Sequence, residues 1–185
     1  SQFLEKNLRK LEDHKNADVA KKMDDQINKL TGLVNDLLDV TKIQNGKILL
    51  NKVDFDFDEL VKEIIDEQQM DTNHKIELNS EKIGIVNADR HRISQVMSNL
   101  ISNAVKYSPL SDSIQITTGK TSDNKVLFAV KDYGIGIPDD KKDKVFEQYY
   151  RVSGSKEHTF PGLGLGLYIS SEIIKRSGGK IFVNS

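Results

Sequence analysis

The chain has 185 residues, 37% hydrophobic and 30% charged, with a formal net charge of -1, the composition of a folded soluble domain with room for an appendage. So little net charge gives no field to draw nucleic acid or an anionic membrane surface, and both are excluded as partners of this stretch. The lack of cysteine rules out disulfides and thiolate metal centres, and with no apolar run of membrane length and no signal-like start the stretch reads as cytoplasmic.

Leu4, Leu8 and Leu11 share one helical face, and the polar "EDHKNAD" that follows is a turn candidate with Asp18 as N-cap. From Asp18 to Asn45, Met23, Ile27, Leu30, Val34, Leu37, Thr41 and Gln44 alternate steps of four and three, a heptad seam. Residues 1–46 therefore read as an antiparallel helical hairpin whose seams are too apolar to stay uncovered. A second copy completing a four-helix bundle is the simplest remedy, so a homodimer is expected.

Gly46 breaks the helical pattern and the composition changes. In "KILLNKVDF" the alternation suits a strand; "DELVKEIIDEQQ" has a helical face of Leu60, Ile64 and Ile65; "HKIELNS" is a short strand. The next helix, "ADRHRISQVMSNLISNAVKYS", turns Ile93, Val96, Met97, Leu100, Ile101 and Ala104 inward. Two alternating strands, "SIQITTGK" and "KVLFAVKD", flank the turn signal "SDN". A last helix, "GLYISSEIIKRS", stops at Gly178 and Gly179 before a strand "KIFVNS". The expected class for residues 47–185 is α+β, a sandwich with helices on one face of a mixed sheet.

Three stretches bear on chemistry. In "NLISNAVKY", Asn99 and Asn103 lie one helical turn apart with Lys106 a turn further on; an amide oxygen is a suitable hard ligand for Mg²⁺, and the lysine can meet phosphates. Taken alone, this stretch reads first as two exposed amides and a solvated lysine. In "KDYGIGIP", Asp132 closes a strand and Gly134 and Gly136 follow; a carboxylate there can accept from the exocyclic amine of adenine while glycines let backbone close over the base, though a plain turn has the same look. "GLGLGLYIS" sets Gly162, Gly164 and Gly166 before a helix, where bare backbone suits a phosphate. It is not the dinucleotide fingerprint, since no strand leads into it, and no P-loop occurs in the chain.

In this order the stretches resemble the ATP-binding domain of sensor histidine kinases, of the GHKL or Bergerat ATPase type. "NLISNAVKYS" is similar to the N box, "DYGIGIP" to the G1 box, "VFEQYYRV" to the F box and "GLGLGLYIS" to the G2 box. The hairpin resembles that family's dimerisation and phosphoacceptor domain, whose second helix ends much as "LTGLVNDLLDVTKIQNGKI" does here. The resemblance implies ATP and Mg²⁺ as cofactors. Asn103 would be the metal ligand, Asn99 its support, Lys106 and Arg151 phosphate contacts, Tyr107 a neighbour of the nucleotide and Asp132 the adenine reader. Gly134 and Gly136 would shape the base pocket, and Gly162, Gly164 and Gly166 would let "RVSGSKEHTFP" act as a lid.

It implies an ATP:protein-histidine phosphotransferase, with a response regulator aspartate as the onward acceptor and a parent protein that can be membrane-anchored. The family's acceptor histidine, followed by an acidic residue, is expected upstream of Ser1, which is not expected to be a natural start; His14 falls in the turn, and His74, His91 and His158 lie outside the hairpin. The family's closing strands are expected beyond "GGKIFVNS". Two other readings compete. The hydrolytic clamps similar to gyrase, Hsp90 and MutL carry a water-activating glutamate where this chain has Asn99, and a neutral amide is no general base. A non-catalytic dimerisation module would hold nucleotide only as a structural ligand.

Overall fold

The computed structural model describes residues 14–152 and 162–185. Two compact units divide the chain, Ser1–Lys47 and Ile48–Ser185.

In the first unit a single helix, α1, is described, His14–Gln44. Its end is a Schellman arrangement: Lys47 N donates to Lys42 O at 2.8 Å and Gly46 N to Ile43 O at 3.0 Å. Gly46 sits at φ +67, where a side chain would be strained. The N-terminal reading needs correction. Asp18 is not a cap but lies inside α1, and residues 14–18 of the expected turn are helical; that stretch holds neither glycine nor proline, and Ala17 and Ala20 are buried at helical spacing. The first helix of the expected hairpin falls in residues 1–13, outside the described residues. Met23, Ile27, Leu30, Val34 and Leu37 of the seam stay about half exposed in the single chain.

The second unit is built from β1 (Val53–Asp56), α2 (Phe57–Met70), β2 (Lys75–Ser80), β3 (Ile85–Ala88), α3 (Arg90–Tyr107), β4 (Ser113–Lys120), β5 (Val126–Lys131) and α4 (Gly166–Arg176). Among the described residues between β5 and α4 lie two short 3₁₀ turns, Asp139–Lys141 and Lys144–Phe146. β1 and β3 form an antiparallel ribbon, Val53 opposite Ala88. β2, β4 and β5 form a mixed sheet in that order, β2 parallel and β5 antiparallel to the central β4. This is the expected α+β sandwich. Phe57, Leu60, Val61 and Ile64 make the buried stripe of α2, and with Met97 and Ile101 of α3 they pack on the sheet face that presents Ile76, Ile116, Phe128 and Val130. Each fully buried aliphatic or aromatic chain there contributes about 1.5–3 kcal/mol over its exposed state.

Helix starts are fixed by carboxylates. Asp56 Oδ1 accepts from Asp58 N and Glu59 N at the head of α2. Asp89 caps α3 by accepting from Arg92 N at 3.0 Å, and its other oxygen takes Asn51 N at 2.8 Å. That second bond bears on the "KILLNKVDF" strand, of which only Val53 onward is paired: upstream, the Asn51 backbone is held by a side chain instead of a ladder. β3 was not expected; it is a four-residue strand after Gly84, too short to stand out as alternation. "KIFVNS" is not a strand here, for want of a ladder partner among the described residues; instead Ser185 Oγ accepts from Ile137 N at 2.8 Å. Among the described residues no helix is long and apolar enough to cross a membrane.

Candidate functional site

On α3 the side chains of Asn99 and Lys106 and the backbone carbonyl of Tyr107 meet the segments that carry the glycines, and Asn103 bonds to Asn99; all four residues are half-buried. Two contacts define the geometry. A Cβ on Gly134 would stand 2.1 Å from the Tyr107 carbonyl oxygen, and one on Gly166 would stand 2.3 Å from Asn99 Oδ1. No real Cβ tolerates such separations, so any other residue at Gly134 needs a backbone shift, and one at Gly166 needs the Asn99 side chain to move.

At the first contact, the turn after β5 lies against the last turn of α3. Ile135 N donates to Tyr107 O at 3.2 Å, and Asp132 Oδ1 accepts from Gly134 N at 2.9 Å. Asp132 is exposed, and its Oδ2 has no protein partner among the described residues. A carboxylate fixed by one oxygen and open at the other can accept an N–H from a ligand. Gly136 lies further along the turn, beside Ser185 Oγ. The Lys106 ammonium lies 4.8 Å from the centre of the Tyr107 ring, a cation–π contact.

At the second contact, α4 begins against α3. Its N-cap residue is Leu165, which offers no side-chain acceptor, and its first turn holds no acidic residue. Among the described residues no side chain is seen to cap the N–H groups at this helix start, the arrangement that suits a phosphate. Gly162 approaches Lys106 here, with a Cβ-to-Nζ separation of 3.2 Å. Gly164, at φ +71, crosses beneath Tyr149 and Tyr150; Tyr149 N donates to Gly164 O at 3.1 Å, and the Arg151 side chain runs past the same glycine. The structure thus gathers Asn99, Asn103, Lys106, Gly162 and Gly166 at one place and Tyr107, Asp132 and Gly134 at another, with α3 as common wall, while Arg151 sits beside Gly164. Most of the expected lid, residues 153–161 with His158, is outside the described residues.

Whether a divalent cation fits is decided by Asn103. Its Nδ2 donates to Asn99 Oδ1 at 3.3 Å, which turns its Oδ1 away from Asn99 and leaves it without a protein partner among the described residues. No group of three or more His, Cys, Asp or Glu able to hold a metal occurs among the described residues. A single amide oxygen is the right donor for Mg²⁺, which keeps several waters and shares phosphate oxygens of its nucleotide.

Three features escaped sequence reasoning. Ser170 accepts from Asn99 Nδ2 at 2.9 Å, a bond across 71 residues. Tyr149 adopts φ +60, an uncommon value for an aromatic residue, directly against Gly164. His74 donates from Nε2 to Ser108 O at 2.8 Å and accepts at Nδ1 from Thr72, so it ties β2 to the C-cap of α3; His91 is exposed.

Residues 88–185 match the family model described as histidine kinase-, DNA gyrase B- and HSP90-like ATPase. The chain belongs to that family. The matched span contains α3, the glycine turns and α4, which carry the candidate site residues. Among relatives of the ATPase family, the sensor protein kinase WalK of Staphylococcus haemolyticus is 35% identical over 165 residues, 87% of this chain and 27% of that protein. The chain thus spans about a quarter of the length of that curated relative. The histidine kinase AdeS of Acinetobacter baumannii superposes with a TM-score of 0.64 at 27% identity, covering 84% of this chain and 71% of that one. A histidine kinase ThkA solved with the response regulator TrrA gives 0.65 at 26% identity, covering 90% and 47%. Within the ATPase family the likeness is to sensor histidine kinases, as the four boxes imply.

The 2.1 Å approach makes Gly134 a stringent position. Gly134→Ala is expected to lower the stability of the second unit by about 1–3 kcal/mol through overpacking against Tyr107. Urea denaturation followed by far-ultraviolet circular dichroism checks this; an unchanged midpoint would mean that the turn does not lie against α3.

Proposed function

We propose that this chain is the kinase portion of a sensor histidine kinase, binding Mg²⁺ and ATP and delivering the γ-phosphoryl group to a histidine on a helical hairpin, for relay to an aspartate of a response regulator. The observation that carries the reading is the Asn99–Asn103 amide pair set against an uncapped helix start: a neutral metal ligand and a phosphate seat, with an amide at the position where hydrolytic relatives keep a carboxylate. Asp132 accepts the adenine amine, Tyr107 lies along the nucleotide, and Gly134 and Gly136 let backbone approach the base. The start of α4 holds phosphate oxygens; Lys106 and Arg151 add positive charge. Bound Mg²⁺ would be held by Asn103 and would neutralise charge on the phosphates. In the transfer, an imidazole nitrogen bonds to the γ-phosphorus, the bond to the bridging oxygen breaks and ADP departs, so the chain's part is mainly positioning and charge compensation. Asn99 offers nothing that takes a proton from water, which argues against the hydrolytic clamp.

The half-exposed seam of α1 supports a homodimer. Leu30 at 61% and Met23 at 58% exposure are ill placed in a monomer and well placed in a bundle with a second copy. A cytoplasmic location, in a parent that can be membrane-anchored, goes with this reading.

Calorimetry gives the direct test. The chain should bind ATP and ADP with Mg²⁺, and Asp132→Ala should weaken both about tenfold to a hundredfold by removing a charged hydrogen bond while binding of inorganic triphosphate stays as it was. Absence of ATP binding by the folded chain would overturn the reading. With labelled ATP and an acceptor hairpin supplied in trans, label should accumulate as acid-labile phosphoprotein; fast release of inorganic phosphate in its place would move the assignment to an ATPase clamp. For the seam, Leu30→Glu together with Leu37→Glu should convert a dimer to a monomer in sedimentation, and a monomeric mass before and after substitution would contradict the bundle.

A further inference from the structure

Lysines on this surface commonly meet a carboxylate: Lys75 lies beside Glu77, Lys125 beside Asp123, Lys142 beside Asp139 and Lys175 beside Glu172. Lys106 is different. Among the described residues no carboxylate pairs with it, and its ammonium stands over the Tyr107 ring, 4.8 Å from the ring centre. Helix positions i and i+1 diverge by about 100° and their side chains do not face each other, so this contact exists only because the lysine stem folds across the ring. The same ammonium comes close to bare backbone, since a Cβ on Gly162 would stand 3.2 Å from its Nζ. Lys106 is thus placed between an aromatic ring and the glycine segment that leads into α4, and it is half-buried there.

We propose that Tyr107 is a positioning residue for Lys106, its ring holding the ammonium beside the glycine segment so that nucleotide phosphates meet a lysine already in place. The inference rests on the reading of Lys106 as a phosphate contact. A ring and a carboxylate do different things to an ammonium. A carboxylate would hold it by neutralising its charge, and would then compete with a phosphate for the same three N–H donors. An aromatic face attracts the cation through its quadrupole and leaves the positive charge uncompensated. The lysine stem is long and flexible, and fixing it only when the anion arrives would cost rotamer entropy at that moment; a ring that fixes it beforehand removes that cost from binding. This gives Tyr107 a use separate from lying along the nucleotide, one that requires no base in the ligand.

The experiment measures binding of inorganic triphosphate with Mg²⁺ by calorimetry, because that probe carries the charge and lacks the base. Lys106→Met should weaken it about tenfold or more, the loss of a charged hydrogen bond. Tyr107→Leu should weaken it about threefold to tenfold, with circular dichroism as the check on folding, and Tyr107→Phe, which keeps the ring, should recover most of that loss. Pentafluorophenylalanine at position 107 keeps the shape of the ring and removes its negative face, so it should bind triphosphate as weakly as Tyr107→Leu does. Adding Tyr107→Leu to Lys106→Met should change the affinity by less than about twofold, because the effect runs through the lysine. In the nucleotide-free, unmutated chain the ε-methylene protons of Lys106 should resonate upfield of those of a free lysine, under the ring current, and return to the free position in Tyr107→Leu. An unshifted ε-methylene signal in the unmutated chain, unchanged or tighter triphosphate binding by Tyr107→Leu, or a fluorinated ring that binds as Tyr107→Phe does would overturn the positioning role and leave the proposed function standing. Triphosphate binding by Lys106→Met equal to that of the unmutated chain would instead overturn the phosphate reading of Lys106, and the inference with it.

Discussion

Everything at the site depends on two backbone segments approaching α3 more closely than any side chain would allow. The turn at Gly134 lies on the Tyr107 carbonyl and the start of α4 at Gly166 lies on the Asn99 amide, each at a separation that a single methyl group would abolish. From these contacts follow the rest. The turn brings Asp132 to the same end of α3 as Tyr107; the α4 contact brings a helix start with no cap from its own N-cap side chain against Asn99, which in turn bonds Asn103, with Gly162 near Lys106. α3 can serve as the common wall because its other face is anchored: Met97 and Ile101 are buried in the core, Asp89 caps its start, and His74 holds the carbonyl at its end. The functional face is thus presented by a helix that is fixed at both ends and along its length.

The uncapped start of α4 has a cost. A helix that begins on leucine forgoes about 1 kcal/mol relative to one with a serine or aspartate cap, and Gly166 adds a further loss of backbone entropy. In the proposed function a bound phosphate would offset that deficit by taking these N–H groups, so that nucleotide and the helix start would stabilise each other. A carboxylate cap, of the kind that Asp56 and Asp89 provide to α2 and α3, would compete with the phosphate for the same donors. Tyr149, held at positive φ against Gly164, is a second local strain at the same place, in keeping with the tendency of such backbone outliers to gather at functional sites.

What the sequence disclosed depended on how local the signal was. Amides four apart on a strongly periodic helix, glycines where backbone must come close, and a strand pair around "SDN" are all set within a few residues, and each is found where its pattern puts it. The site as a whole was legible through the order of its boxes more than through any one of them. Ser170 was not, because a buried serine has an ordinary local use and its actual partner lies 71 residues away. "KIFVNS" alternates like a strand, yet alternation needs a neighbour to pair with, and none is present among the described residues. Asp18 is a good cap residue in a polar run, but Ala17 and Ala20 on either side of it are buried, so burial overrides the capping preference.

The central claim is that the two glycine contacts on α3 bring the adenine-reading and phosphate-reading groups into one nucleotide site. Nitrogen–proton correlation spectra recorded during titration with ATP and Mg²⁺ test it most directly. The account predicts that the backbone amides of Gly134, Ile135 and Gly164 to Leu167 shift together with the side-chain amide of Asn103, along a single binding curve. Shifts confined to α1 or to the β1–β3 ribbon, with those amides unmoved at saturation, would contradict it.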